Sequence, residues 1–537
     1  MYYFIKNFEM KKTIYILTFI SAVFGLSSCD KFLDEMPDNR TMLDTPQKIK
    51  DLLVTSYPTA NYSLICELSA DNFIDNRSEN PTLKSDPFDR MDTELFEWQD
   101  VASANDEDSP YSLWEQYYQS IASANQVLEA IDNLAKEGET TNLQPQRGEA
   151  LILRAYCHFM LVNIFSKTYK DANLSKNDLG VTYMTKPEKH VLADYKRQSV
   201  AEVYNLISQD IEEGIELLDD KSLAVPKYHF NKAAANAFAS QFYLYKRDYN
   251  KAIEYANNVL GTGDPSTLLR NWTTIYSNAE SELNAYVSAE QPANLLLIPT
   301  YSTYARRFSR KRYGVNGSSL NGTINGSGPT WNSRPAFLSG WVWTYGQEYG
   351  LVIPKTDEFF EYTDKVARIG FAHVVRTEFT TDDVLLNRAE AKIMLGDIAG
   401  GVKDLQYWNK SHKNTTTLTQ ANITNYYTAN KTDFVFTLHN ADLSPEFVIS
   451  ADKKPFIDCV LHFRRLERIL EGHRWFDIKR YGIELSRKVG REQTLISLPY
   501  DDNRRAIQIP SDVIGAGLEE NPREPIGVNL EIPTLVY

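Results

Sequence analysis

The richest chemistry in this chain lies in Glu471-Gly472-His473-Arg474-Trp475-Phe476-Asp477, where two carboxylates flank an imidazole. Groups this close would suit proton transfer. On a helix, however, Glu471, Arg474 and Asp477 recur every three residues and share a face, so the pattern predicts an ion-pair ladder, with Trp475 turned toward packing. Glu149 and Arg154 read the same way, as charges that fix the register of a helix. There is no H-E-x-x-H, no G-x-S-x-G and no Walker-type phosphate loop, and the chain has only eight His. A glycosidase needs only two opposed carboxylates, which spacing does not reveal. Cys66, Cys157 and Cys459 stand far apart without a C-x-x-C, so neither a metal site nor a disulfide framework is expected.

Binding chemistry is better represented. Aromatic residues make up 12% of the chain, and three of its eight tryptophans, Trp331, Trp341 and Trp343, fall close together with Tyr345 next to them. A pyranose presents an apolar C–H face to such rings and in-plane hydroxyls to carboxylates, amides or guanidiniums. These four residues are therefore candidates for stacking on a sugar. Trp98, flanked by Phe96 and Asp100, joins them, with Asp71 and Asn72 as polar candidates. Trp272 and Trp408 read as buried fillers, and Trp114 as a residue packed in its helix. The run from Arg306 to Arg312 (Arg-Arg-Phe-Ser-Arg-Lys-Arg) would receive a uronate or sulfate, or else form a solvated edge or a partner contact.

Helical periodicity accounts for the elements that hold these residues. Apolar positions three and four apart predict helices over Ser112 to Ile131, Pro145 to Phe165 and Val200 to Leu218. Residues 231 to 260 resemble a tetratricopeptide repeat, with Ser240, Tyr243, Ala252, Ala256 and Val259 at its small, aromatic and small positions. Residues 382 to 410 look like a second copy: Leu395-Gly396-Asp397 supplies the turn, Ala389 and Gly401 the small crossings, Leu405 and Trp408 the filler. Two helices approach closely only where small residues meet. The fold expected is mainly α, a scaffold of about four tetratricopeptide-like helix pairs over about 110–260 and 382–480. Long, mixed, loop-rich insertions interrupt it, above all at 261–380. There, Ala293 to Thr300 reads as a strand, and three Asn-Gly turn signals follow the basic run.

The N-terminus carries an address. Lys11-Lys12 precede an apolar run from Ile14 to Leu26 that ends in Leu26-Ser27-Ser28-Cys29. This is the plan of a secretory signal over residues 1–28, and its ending resembles the bacterial lipobox, which makes Cys29 the lipidated first residue of a single mature domain, 29–537. No later uninterrupted apolar stretch approaches membrane-spanning length. Net charge is −14, from 57 Lys+Arg against 71 Asp+Glu. That argues against nucleic acid as a partner, because neutralising phosphates requires a basic footprint.

Several ordered segments together resemble the RagB/SusD family of Bacteroidetes outer-membrane lipoproteins. They are Cys29-Asp30-Lys31-Phe32-Leu33-Asp34, Arg147-Gly148-Glu149-Ala150 leading to Leu153-Arg154-Ala155-Tyr156, Val384-Leu385-Leu386-Asn387-Arg388-Ala389-Glu390-Ala391, and Arg464-Arg465-Leu466-Glu467-Arg468 followed by Glu471 to Arg480. Near the C-terminus Glu520-Asn521-Pro522-Arg523 replaces the family's Gln-Asn-Pro-Gly. The resemblance implies a non-enzymatic lipoprotein of the cell surface, without a cofactor or metal, anchored by lipid in the outer membrane. It would capture a glycan on loops outside the helical scaffold and help deliver it to a SusC-like TonB-dependent transporter. It also implies that the regions of Trp98 and of Trp331–Tyr345 line opposite walls of one site. The alternative is a tetratricopeptide scaffold that binds a protein or peptide and never meets sugar; the aromatic-rich loops favour the first reading.

Overall fold

In the computed structural model the described residues are 43–78, 89–101, 107–188, 195–277, 281–305, 312–315, 325–339, 343–344, 351–352, 355, 357–428 and 434–523, with 343–344 and 351–352 described by backbone alone. The chain divides at Asp44, and the helical scaffold and its sheets lie in the unit from Thr45 onward. Cys29 and its signal lie outside the described residues.

The periodic segments form the expected helices. The scaffold consists of α1 (Pro110–Lys136), α2 (Gln144–Phe165), α3 (Val200–Leu217), α4 (Lys232–Tyr245), α5 (Tyr249–Leu260), α6 (Thr381–Met394), α7 (Ile398–Ser411), α8 (Lys454–Glu467) and α9 (His473–Tyr481). Polar caps begin most of them. Ser109 accepts from the N–H of Ser112 ahead of α1, and Ser199 and Glu202 form a reciprocal capping box at the head of α3. Consecutive helices pack in order, α1 on α2, α2 on α3, α4 on α5, α5 on α6 and α6 on α7, while α8 lies against α6.

Small residues sit at the crossings. A Cβ on Gly148 would come within 2.7 Å of the Gly214 carbonyl, so α2 and α3 touch backbone to backbone. A Cβ on Gly401 would strike Ile393 at 2.5 Å, which is the α6/α7 crossing the repeat pattern predicts. At the α4/α5 crossing Ser240 Oγ donates to the Ala252 carbonyl at 3.0 Å. Trp272 and Trp408 are fully buried fillers, as expected, and Trp114 packs on Tyr118 and Phe165. Helix α2 is long and apolar enough to cross a membrane by composition, but its apolar window is wholly buried among its neighbours.

Among the described residues four small antiparallel sheets are added to the scaffold. The largest has the order β2 (Asn294–Thr300), β7 (Ile369–Thr380), β6 (Phe359–Asp364). Its register runs Leu297 to Thr377 and Thr300 to Val374 on one side of β7, and Phe360 to Ala372 and Tyr362 to Gly370 on the other. Strand β7 is twelve residues long. Its second half is buried beside β2, whereas Ile369–His373 pairs with β6 alone and forms an arm. The other sheets pair β1 (Ile74–Asp75) with β3 (Tyr313–Gly314), β4 (Trp343–Thr344) with β5 (Leu351–Val352), and β8 (Leu485–Val489) with β9 (Thr494–Leu498). Near the C-terminus Asn521 is buried, donating to the carbonyls of Phe165 and Ile507, so the departure at Arg523 leaves this anchor intact.

Candidate functional site

Two loop regions far apart in sequence meet at the β1/β3 ribbon. Asp75 is fully buried, and its carboxylate accepts a fork of hydrogen bonds from Arg312 Nε at 3.1 Å and Nη2 at 2.8 Å, with two more from the N–H groups of Arg77 and Gly490. Such bidentate, charge-assisted pairs fix geometry as well as energy. The Tyr313 ring packs at a tilt against Phe96, 4.4 Å between centroids, and its hydroxyl meets Thr93 Oγ1 at 2.8 Å. The segments 71–78, 89–98, 312–315 and 489–491 are thus tied at one point. Beside it opens a polar cleft of about 360 Å³, lined by Arg77, Glu97, Val489, Gly490, Arg491, Glu492 and Thr494. Partial burial raises the Glu97 carboxyl above its ordinary value, with Arg312 opposing. Guanidiniums and carboxylates converging on one opening suit a polyol.

This ribbon also corrects part of the basic run. Arg312 is committed to Asp75 inside the protein, whereas Arg306 to Lys311 lie outside the described residues.

Four expected ligand residues take structural roles instead. Trp98 is 4% exposed; it follows the helix Asp89–Phe96 with a left-handed φ of 56°, its indole N–H donates to the Ser69 carbonyl at 2.9 Å, and Arg487 lies 4.1 Å over its ring. Trp331 is 9% exposed, folded over Gly328, and donates to the Gly326 carbonyl while packing on His462 and Phe463. Asp71 receives Arg474 through both oxygens, at 2.8 and 2.9 Å, and Asn72 is fully buried between Arg465 and Glu67. Burial acts to raise the Asp71 carboxyl, but Arg465 and Arg474 outweigh it and hold it well below the usual carboxylate range. The physical reason is common to both polar residues: buried guanidiniums need oxygen partners, and this loop supplies them. Trp341 and Tyr345 lie outside the described residues, and of Trp343 the backbone alone is described, on β4.

The Glu471–Asp477 segment is structural, but its pairing differs from a single ladder. Helix α9 begins only at His473, after Gly472 in the left-handed region, so Glu471 precedes the helix and leaves the predicted face. Glu471 binds Lys355 and Arg468, Arg474 binds Asp71, and Asp477 binds Arg464 and Arg480. Trp475 is fully buried, as expected. Burial and the cation of Arg468 push the His473 imidazole far below its ordinary range, and its Nε2 lies 3.1 Å from the Tyr62 hydroxyl. Arg154 forms its expected register bond, bidentate to Asp210 at 2.7 Å, while Glu149 accepts from Tyr57 and contacts His229.

Metal chemistry has one candidate among the described residues. Asp382, His412 and Glu467 are buried and bring ligand atoms within 4.8 Å of one another. His412 Nε2, however, lies 2.6 Å from Glu467 Oε2, a contact that suits a shared proton and is too short for two atoms at tetrahedral positions about an ion.

A second cleft of about 360 Å³ lies against α1, walled by Trp114, Tyr118, Ile121, Met184, Val513 and Leu518. Lys186, Glu188 and Tyr195 also line it, while its inner polar groups are used internally. The Tyr118 hydroxyl donates to the Thr182 carbonyl, and Asn125 donates to the Met184 carbonyl and accepts from Arg154. Sequence reading missed both clefts. Their walls come from segments hundreds of residues apart, and no local spacing marks them.

Fold and loops together define a helical-repeat scaffold carrying loop-rich, mixed insertions. Residues 31–244 match the family model described as starch-binding and associating with the outer membrane, and residues 346–512 match that of the SusD family. This chain belongs to the SusD/RagB family. It is 22% identical over 529 residues to SusD-like protein P38 of Formosa agariphila, covering 87% of this chain and 91% of that one. A putative sugar binding protein from Bacteroides vulgatus shares the fold with a TM-score of 0.63 at 19% identity, over 90% of this chain and 99% of its own. A laminarin binding SusD-like protein does so with a TM-score of 0.55 at 15% identity, over 89% and 99%.

Proposed function

We propose that this protein is a non-enzymatic lipoprotein of the outer membrane, anchored through Cys29, that captures an oligosaccharide or polysaccharide and passes it to a SusC-like TonB-dependent transporter. The observation that carries the reading is the β1/β3 ribbon. It ties the segment around Trp98 to Tyr313–Gly314, within the loop-rich region 261–380, and it opens on a cleft lined by Arg77, Glu97, Arg491 and Glu492. The descriptions of relatives as sugar-binding and laminarin-binding point the same way. Two of the aromatic candidates, Trp98 and Trp331, serve the core. The stacking role therefore falls to Trp341, Trp343 and Tyr345, with Arg77, Glu97, Arg491 and Glu492 meeting hydroxyls.

Native gel electrophoresis through polysaccharides, laminarin and starch among them, tests the reading. The intact protein should be retarded by at least one glycan. A variant with Trp341, Trp343 and Tyr345 all changed to Ala should migrate freely while melting within a few degrees of the parent. Unaltered retardation of that variant would remove these rings from the site, and appearance of new reducing ends would make the protein a hydrolase.

A further inference from the structure

The cleft against α1 shares no lining residue with the cleft beside the β1/β3 ribbon, and both of its walls are held from behind. One wall is the segment from Thr182 to Glu188. Side chains of α1 and α2 strap its backbone down: the Tyr118 hydroxyl donates to the Thr182 carbonyl at 2.9 Å, Asn125 Nδ2 to the Met184 carbonyl at 3.0 Å, and Arg154 to the Thr185 carbonyl at 3.3 Å. His158 Nδ1–H donates to the Arg154 carbonyl at 2.8 Å, which leaves Nε2 to accept from the Met184 N–H at 3.0 Å.

The opposite wall is the end of the short helix Ser511–Gly515. Gly517 follows it in the left-handed region, at a φ of 105°, and the N–H groups of Gly517 and Leu518 return to the carbonyls of Ile514 and Val513 at 2.9 and 3.2 Å. A helix end of this form sets Val513 beside Leu518. Both side chains stay half-buried in the cleft wall.

Between the walls the floor is aromatic. Trp114 and Tyr118 lie 4.9 Å apart, tilted by 45°, and Ile121 and Ala122 continue the floor along α1. The opening, about 360 Å³, has the size of a small-molecule site and is formed in advance by the hydrogen bonds of its walls. Rings pack favourably on other rings and on thioethers, so Trp114, Tyr118 and Met184 suit a flat aromatic body. Charge is confined to the mouth. Lys186 is exposed and, among the described residues, pairs with no carboxylate, whereas Glu188 is engaged by the Tyr195 hydroxyl. The cation left over favours an anionic group on the occupant. We propose that this cleft is a binding site in its own right for a small planar aromatic carboxylate, with the ring between Trp114, Met184 and Leu518 and the carboxylate at Lys186.

Trans-cinnamate and trans-cinnamamide, alike in shape and different in charge, are the probes. Titrated by calorimetry into the intact protein, cinnamate should bind about threefold more tightly than the amide, the worth of one exposed ion pair. Lys186→Gln changes an exposed side chain and should bring cinnamate down to the level of the amide, whose own binding stays as it was. Ala122→Leu builds the floor up into the cleft and should weaken both probes at least tenfold. Ala516→Trp obstructs the cleft from its exposed rim without entering the core, and should act in the same direction even if Ala122→Leu folds poorly. Glycan retardation should remain parental in every folded variant. Absence of binding by either probe at millimolar concentration, or binding that both obstructing variants leave intact, would overturn the site. Equal affinity for the two probes, or no effect of Lys186→Gln, would overturn the carboxylate assignment. Loss of glycan retardation in the obstructing variants would hand the cleft to sugar instead.

Discussion

Arg465, Arg474 and Arg487 are all held against the loop that leaves the helix Ser63–Ser69, and each draws oxygen from it: Asn72 and the Asp71 carbonyl, the Asp71 carboxylate, and the carbonyls of Leu68, Ser69 and Ala70. Residues with sugar-like chemistry are thereby committed to cations of the protein. Trp98 should behave as a core residue. Trp98→Ala is expected to lower stability by about 3–5 kcal/mol, as read by denaturant unfolding, and to leave glycan retardation of the folded fraction unchanged. Loss of retardation at parental stability would restore the ring to the site. Glu67 makes a second case. Burial pushes its carboxyl up from 4.5 to about 7 against the hydrogen bonds of Asn72 and Gly472. A raised folded value means that its contribution is fully present below pH 4.5 and is lost as pH rises through about 7. Measured against Glu67→Gln, the parent should lose up to about 3 kcal/mol between about pH 4.5 and pH 8. Parallel pH profiles would show that Glu67 ionises in the fold as it does in water.

Among the helices, the α2/α3 crossing is the most sensitive contact, because two glycines face each other there. Gly148→Ala gains about 1 kcal/mol of helix propensity, but its methyl group would meet the Gly214 carbonyl at 2.7 Å. Overpacking of that kind typically costs about 1–3 kcal/mol, so a net loss is expected; a rise in melting temperature would mean that the helices can part without penalty. The small residues at the α4/α5 and α6/α7 crossings were readable from the repeat pattern, though Gly148 and Gly214 were not; periodicity also gave the span of α2 to within a residue, and the buried roles of Trp272, Trp408 and Trp475 were legible too. Periodicity reports burial, and burial governs these elements. Pairing in space is another matter. Nothing near Asp75 in sequence announces Arg312 or Gly490, and nothing near Asp71 announces Arg474, because such bonds span hundreds of residues. The same limit hid both clefts and turned Trp98 and Trp331, correctly noticed as aromatic, into misread ligand residues. The Glu471 ladder failed for a local reason: Gly472 starts the helix later than the triplet spacing assumes.

At the scale of the molecule, the proposed attachment and the proposed capture should be separable. Cys29 precedes the scaffold by many residues, so Cys29→Ala should move the protein from the membrane fraction to the soluble one without altering its melting temperature or its glycan retardation. Continued sedimentation with membranes would show that something other than the lipid holds it. Asp75 has a wider consequence. One carboxylate clasps the strand before the first long helix, the strand after the basic run and the hairpin at Gly490, so these segments form a single mechanical unit. A guest pressing on any one of them should quieten all three. In hydrogen–deuterium exchange, saturating glycan is expected to slow the amides of Arg77, Tyr313 and Gly490 in concert, and Asp75→Asn is expected to make them respond one at a time.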